Sequence, residues 1–345
     1  MSSISASVNS ARTVRRTLLL TQRDIERVIT MPAAIRVVAE AFRAQARGQA
    51  IMPAKVYLTL SDQSDFRAMP AYLARPASCG VKWVNVHPKN RRKGLPTVMG
   101  ILILNDPKTG FPLAILDGLS ITRIRTAAAA GVAARTLARR DARVVGLVGC
   151  GAQAPAQLQA LQRLFRLRQV RVWGAQPGEA ARFCRRMAPA LRLPLESAKT
   201  VRECVEGADL ISTITPSRKP LVMRAWVKPG AHINAIGADA PGKQELDPTI
   251  LQDALVVVDE REQAVHGGEL NVPISRGQFS PGRIHACLGD ILLGRAPGRT
   301  RPDQITVFDS TGLAVHDIAL GAEAVRRVRR GRAAGSLRTV QFFPT

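Results

Sequence analysis

Aromatic residues make up only 4% of this 345-residue chain, with three Trp and two Tyr. So few rings beside the basic residues leave no stacking platform for single-stranded nucleic acid. No apolar run approaches the roughly 18 residues that a membrane span requires, so no membrane partner is expected. Cysteines are few and odd in number: Cys79, Cys150, Cys184, Cys204 and Cys287, scattered without C-x-x-C spacing. That excludes a disulfide framework and a zinc site and reads as small buried thiols in a reducing compartment. His87, His232, His266, His285 and His316 stand too far apart for metal-ligand spacing, and no metal is expected. The opening MSSISASVNSARTVRR has no acid and no apolar core. It fits a disordered extension over residues 1–16 better than a transit peptide, and it argues against secretion; a cytoplasmic location is expected. Acidic residues are also scarce, 26 against 50 Lys plus Arg, for a formal charge of +24. The cations are nevertheless dispersed along the chain, apart from the Arg326–Arg332 tail, and no nucleic-acid motif accompanies them. They read as a compositional bias, and no specific nucleic acid partner is expected.

The most informative segment that is present is ARVVGLVGCGAQAPAQLQAL, residues 142–161. An apolar run, Val144 to Val148, meets Gly149-Cys150-Gly151-Ala152-Gln153-Ala154, and a helical pattern follows. Gly149 permits the tight turn, Gly151 lets the backbone approach a pyrophosphate, and the helix start offers unpaired N–H groups to phosphates. Ala154 replaces the third glycine, where only a small residue is needed. An ordinary strand-to-helix turn is the alternative, but a second strand, Val170–Trp173, follows at the spacing of a βαβ unit.

From Thr21 to Ala46 apolar residues recur at helical spacing, with a second helix beginning near Pro32. Strands are expected at 55–60, 66–72, 80–86, 97–105 and 113–117, then a helix over 121–139. Alternating strands at 144–148, 170–173, 210–213, 232–236 and 255–258 describe a doubly wound parallel sheet, and a late strand at 305–309 precedes a final helix. The expected fold is therefore α/β, a Rossmann unit over 126–305. A second, α+β unit is expected over 17–125 together with 306–345.

Four cations lie in or beside the N-terminal strands and the helix after them: Lys55, Arg67, Lys82 and Arg125. Each alone reads better as an outward, solvated side chain, since strands alternate faces. Lys82, between Val81 and Trp83, asks for a partner or a duty. As a set beside a hydride carrier they suit recognition of a carboxylate by arginine and proton transfer by a desolvated lysine. Asp239, in AHINAIGADAPGKQELDP, follows a strand end where such sheets hold ligands; capping a turn is its alternative role.

The segments GVKWVNVHP, GLPTVMG, ITRIRTAAAAG, VGCGAQA, TPSRKP, WVKPGAHINAIGADAPGKQELD and VFDSTG, in consistent order from about Thr21 to about Ala324, resemble the ornithine cyclodeaminase/μ-crystallin family, especially its archaeal-type alanine dehydrogenase branch. The resemblance implies a homodimer in which the α+β unit over 17–125 with 306–345 is the substrate-binding and dimerisation domain, a nicotinamide cofactor, and hydride transfer at the α-carbon of a small amino or imino acid. It implies Lys82 as catalytic acid/base, Asp239 activating water or amine, and Arg67, Arg125 and Lys55 on the substrate carboxylate, with Thr97 lining the site. It places Gly149, Gly151, Ala152 and Gln153 at the pyrophosphate, and Thr213, Ser310, Thr311 and Gly312 at the cofactor.

Two departures bear on substrate and cofactor. The ornithine-using branch has an acid where this chain has Arg67, and the μ-crystallin branch lacks the aspartate that Asp239 retains. Both favour oxidative deamination of alanine or its reverse. Ornithine cyclisation, cyclic ketimine reduction, and a μ-crystallin-like ligand-binding role are the alternatives. After the second strand, Trp173-Gly174-Ala175-Gln176 offers no carboxylate to the ribose, so NADP is compatible beside NAD, with Arg182 as its candidate counter-charge.

Overall fold

The computed structural model describes residues 15–61, 64–331 and 337–343. The extension expected over 1–16 lies, through residue 14, outside the described residues.

Two large sheets organise the chain. The first is mixed, in the order Thr339–Val340, Thr17–Leu20, Pro112–Asp117, Val98–Asn105, Ala77–Val86, Ser64–Ala74 and Ala50–Ile51, with Val56–Ser61 also pairing to Ser64–Ala74. Thr17–Leu20 runs parallel to Pro112–Asp117, and the other pairings are antiparallel. Its strands alternate burial. In Ser64–Ala74, Arg67, Met69, Ala71 and Leu73 face inward, and in Ala77–Val86, Ser78, Gly80, Lys82 and Val84 do so. That is the period of two of a sheet covered on one face.

The cover consists of helices Met31–Ala46, Gly118–Leu137 and Ala314–Gly331. The first buries Ile35, Val38, Ala39 and Phe42, a stripe at helical spacing. Gly118–Leu137 begins at Asp117, whose side chain accepts a hydrogen bond from the Ser120 N–H at 2.6 Å. Its run Ala127–Ala130 is buried, because the helix is packed on several sides and only small residues let its neighbours approach. Ala314–Gly331 lies so close to the sheet that a Cβ on Gly80 would sit 3.1 Å from Ile318 Cδ1, and one on Gly321 2.5 Å from Leu102 Cδ2.

The second sheet is parallel throughout, in the order Leu195–Ser197, Gln169–Trp173, Val144–Val148, Leu210–Thr213, His232–Ala235, Thr306–Asp309, Leu255–Val258 and Ala286–Cys287. Val144–Val148 is buried at every residue, as a strand covered on both faces must be. The chain proceeds outward in one direction from this strand and then in the other, so the crevice beyond its C-terminal end lies at a topological switch point.

One boundary expected from sequence is corrected by this topology. Residues 306–309 were expected to belong with the substrate-binding unit, but Thr306–Asp309 is an interior strand of the parallel sheet, paired on both sides. Position along the chain does not reveal that a late strand inserts between two earlier ones. The helix Gly118–Leu137 likewise runs across the expected boundary at 125/126. No helix among the described residues is long and apolar enough to cross a membrane.

Candidate active site

A cavity of about 270 Å³ opens between the inner face of the mixed sheet and the C-terminal ends of the parallel strands. Lys55, Arg67, Lys82, Arg125, Gln153, Asp239, Ser310, Thr311 and Gly312 line it. These residues come from seven separated segments, and the fold brings them together. A neighbouring cavity of about 390 Å³ shares Lys55, Asp239 and Thr311 with it.

At the centre, Lys82 is 1% exposed and its Nζ donates to Asp317 Oδ2 at 2.8 Å and Thr122 Oγ1 at 3.3 Å. Arg125 Nε donates to the other carboxylate oxygen, Asp317 Oδ1, at 3.0 Å. One fully buried carboxylate thus serves two cations. Burial pulls the Lys82 ammonium down to about 7; Asp317 opposes this shift, and Arg125 and Lys55 add to it. For Asp317, burial works to raise the carboxyl, but Arg125 and Lys82 outweigh it and hold the group below its ordinary value. The result is a lysine close to its protonation midpoint near neutral pH, the condition for efficient proton transfer in both directions.

A second knot surrounds Arg67. Its Nε and Nη2 bind Asp65 in bidentate fashion at 2.9 and 3.0 Å, and its Nη1 donates to Asp239 Oδ2 at 2.9 Å. The Tyr57 ring lies under the guanidinium, 5.2 Å from its centroid. Asp239 also accepts from Lys243 Nζ at 2.5 Å. Burial pushes the Asp239 carboxyl up, yet Lys243, Arg67 and Lys55 hold it well below the usual range, so it is an anion. Lys55, drawn down to about 8 by burial, donates to the Thr311 carbonyl at 2.6 Å.

The loop after Thr306–Asp309 closes the cavity. Asp259 accepts from Gly312 N–H at 2.8 Å, Thr311 Oγ1 at 3.0 Å and Ser310 Oγ at 3.3 Å. Gly312 has φ +81°, and a Cβ there would lie 2.6 Å from Arg125 Nη1. Glycine is required on both counts. On the opposite wall, Thr215 donates from N–H and Oγ1 to the buried Glu245, both at 2.7 Å, and Gly237 N–H donates to the second oxygen at 2.9 Å.

Five of the residues singled out from sequence do not line the cavity. Thr97 precedes the strand Val98–Asn105 and its carbonyl accepts from His87 N–H at 2.7 Å; its neighbour Val98 does line the cavity. Thr213 is buried within its strand, and Thr215, two residues on, takes the lining position. Gly149, Gly151 and Ala152 form the turn alongside. Gly149 has φ +106°, and a Cβ on Gly151 would meet nothing within 4 Å. Beside that open space the helix Ala154–Leu164 starts with no side-chain cap, and Gln153 Oε1 is buried without a hydrogen-bond partner among the described residues. A helix start without a side-chain cap, an unpartnered amide and room at Gly151 fit a phosphate-bearing ligand.

Sequence reasoning missed Asp317, Asp65, Asp259, Glu245 and Lys243. Asp317 had a signal: it interrupts the buried face formed by Ala314, Val315 and Ile318, and an acid there needs a cation.

A doubly wound parallel sheet, its glycine turn, and a cationic cavity walled by a second sheet define a two-unit, dinucleotide-binding class of fold. The sequence profile of the ornithine cyclodeaminase/mu-crystallin family matches residues 15–331, and the chain belongs to that family. It is 47% identical over 328 residues to an alanine dehydrogenase of Archaeoglobus fulgidus, covering 95% of this chain and 99% of the relative. Among solved structures it resembles an archaeal alanine dehydrogenase dimer with bound NAD, with 45% identity, 95% and 100% coverage and a TM-score of 0.90. It also resembles the Thermococcus litoralis Δ1-pyrroline-2-carboxylate reductase in complex with NADH and L-proline, with 33% identity, 94% and 100% coverage and a TM-score of 0.90.

Proposed function

We propose that this protein is a nicotinamide-dependent amino acid dehydrogenase that oxidatively deaminates alanine or a similarly small amino acid, and runs the reverse reductive amination. The observation that carries the reading is the buried Lys82–Asp317–Arg125 cluster in one cavity with the parallel-sheet strand ends. The likeness to the alanine dehydrogenases supports it. A bound nicotinamide dinucleotide supplies the hydride acceptor. Arg125, with Lys55 beside it, holds the substrate carboxylate; Lys82, neutral, takes a proton from the substrate amine as the α-carbon loses hydride. Asp239 orients the water that adds to the iminium carbon, and ammonia leaves to give the 2-oxo acid.

Gly149, Gly151, Ala152 and Gln153 hold the pyrophosphate, and Thr213 or its neighbour Thr215, with Ser310, Thr311 and Gly312, faces the nicotinamide end. Gly151→Val is expected to abolish dinucleotide binding while leaving the fold intact, since the new side chain enters open space that only a ligand uses. Calorimetry with unchanged affinity in that variant defeats this placement.

Arg67 changes the argument about substrate. Its charge is already matched by Asp65 and Asp239, so repulsion of a distal ammonium is weaker than an unpaired arginine would give. What remains is that no carboxylate in the knot is free of a cation to receive that ammonium. Pyruvate with ammonium is therefore expected to oxidise the reduced cofactor, and ornithine is expected to yield little or no proline. Ammonia release and proline formation from ornithine would reverse that order. Faster turnover of a cyclic imine than of pyruvate would favour the second reading, a ketimine reductase, which the likeness to the pyrroline-2-carboxylate reductase supports.

The enzyme works as a homodimer. The outer face of the mixed sheet leaves Val56, Leu58, Leu60, Trp83 and Ile101 exposed, an apolar surface of the kind a second copy covers. All five cysteines are free thiols, which supports a cytoplasmic location.

A further inference from the structure

In doubly wound sheets that select NAD, a carboxylate at the end of the second strand hydrogen-bonds the adenosine ribose, and a 2′-phosphate is repelled from it. Here the residue after the second strand, Gln169–Trp173, is Gly174, which has no side chain to offer. The space beside it is nevertheless filled. A Cβ on Gly174 would lie 2.6 Å from Cys150 Sγ and 3.0 Å from Glu179 Oε2. Cys150 belongs to the glycine turn, so the carboxylate of Glu179 stands where the second strand ends and the turn begins.

Local structure explains how a residue five places along the chain reaches that point. Gly178, with φ +71°, folds the chain back just before the helix Glu179–Leu191. Gln176 N–H then donates to Glu179 Oε2 at 3.4 Å. The same carboxylate acts on the Cys150 thiol: burial first, and the Glu179 charge second, push that thiol up to about 11. Two arginines lie on the same helix. Arg182 is exposed and turned toward the Pro177 carbonyl, 3.5 Å away, while the Arg186 guanidinium lies 5.8 Å from the Phe183 ring centroid. Neither forms an ion pair with Glu179 among the described residues, so its charge is not cancelled by a salt bridge.

We propose that Glu179, reaching back from the helix start, replaces the missing strand-end carboxylate and makes this enzyme select NAD over NADP. The inference rests on the dinucleotide reading above. It replaces the expectation, drawn from the absence of an acid in residues 173–176, that NADP is compatible beside NAD with Arg182 as the candidate counter-charge to its phosphate.

The test is binding of NADH and NADPH to the purified enzyme, followed by nucleotide fluorescence or calorimetry, in wild type and in Glu179→Gln. The wild type is expected to bind NADH more tightly than NADPH by about tenfold or more, the effect of a charge-assisted hydrogen bond gained and a like-charge contact avoided. Glu179→Gln keeps the side-chain shape and is expected to bring the two affinities within about threefold, by weakening NADH and strengthening NADPH. Equal affinities in the wild type overturn the proposal without recourse to any variant. So does a ratio unmoved in Glu179→Gln. Loss of NADPH binding in Arg182→Ala, with NADPH preferred by the wild type, assigns the site to Arg182 instead. If neither nucleotide binds the wild type, the dinucleotide reading fails and this proposal with it.

Discussion

Replacing Lys82 by alanine is expected to lower kcat for amino acid oxidation about 10²-fold or more and to leave dinucleotide affinity nearly unchanged. The side chain reaches the cavity from the inner face of its strand, is held at 2.8 Å by Asp317, and is brought to about 7 chiefly by burial. Oxidation needs the neutral amine, so kcat/KM in that direction should fall as pH drops through about 7. Reductive amination needs the ammonium as proton donor, so its kcat/KM should fall as pH rises through the same value. Both limbs should vanish in Lys82→Ala. Lys82→Arg is no conservative rescue, because a guanidinium does not release its proton at neutral pH. The fold should survive the alanine change, since Arg125 still neutralises Asp317. Turnover at the wild-type rate, or an unaltered pH profile in the variant, makes Lys82 a structural residue and removes the chemical basis of the proposed reaction.

The parts of this molecule that obey local rules were readable from the sequence. Val144–Val148 with Gly149 announced a strand running into a tight turn, because Gly149, at φ +106°, adopts a conformation that favours glycine. The alternation around Lys82 placed it in a strand, and burial on the inner face then made its charge a functional question. What local rules do not carry is pairing over distance. Asp317 follows Lys82 by 235 residues, and nothing in either segment states that one helix lies across the other's strand. Thr306–Asp309 was readable as a strand, but its place between His232–Ala235 and Leu255–Val258 is set by sheet packing. The edge strands Ala50–Ile51, Leu195–Ser197 and Ala286–Cys287 are too short for periodicity to detect. Glu179 illustrates the same limit at short range. A search confined to residues 173–176 finds no acid, whereas the left-handed Gly178 returns one to the same point in space.

Asp317→Asn is expected to destabilise the folded enzyme by about 3–5 kcal/mol, the range for breaking a buried ion pair by removing one partner. The amide keeps the shape of the carboxylate, so the effect isolates charge. Lys82 can respond by losing its proton, and its proton affinity should fall below the wild-type value of about 7, moving the limbs of both pH profiles downward. Arg125 has no such escape, because a guanidinium keeps its charge in proteins. Most of the destabilisation is therefore assigned to Arg125, and adding Lys82→Met to Asp317→Asn should recover only a minor share. The pH dependence has a definite sign. Asp317 is held below its ordinary value of 3.8, so its contribution is complete above that pH and is lost as pH falls through the lower folded-state value. The gap in stability between wild type and Asp317→Asn should therefore widen as pH falls below about 7, where Lys82 takes up its proton in the wild type but not yet in the variant, and should narrow only below about pH 4, as Asp317 itself is protonated. Denaturant titrations at neutral and acid pH measure it. Equal stability at neutral pH, together with unmoved pH limbs, would mean that Asp317 neither compensates the two cations nor sets the proton affinity of Lys82.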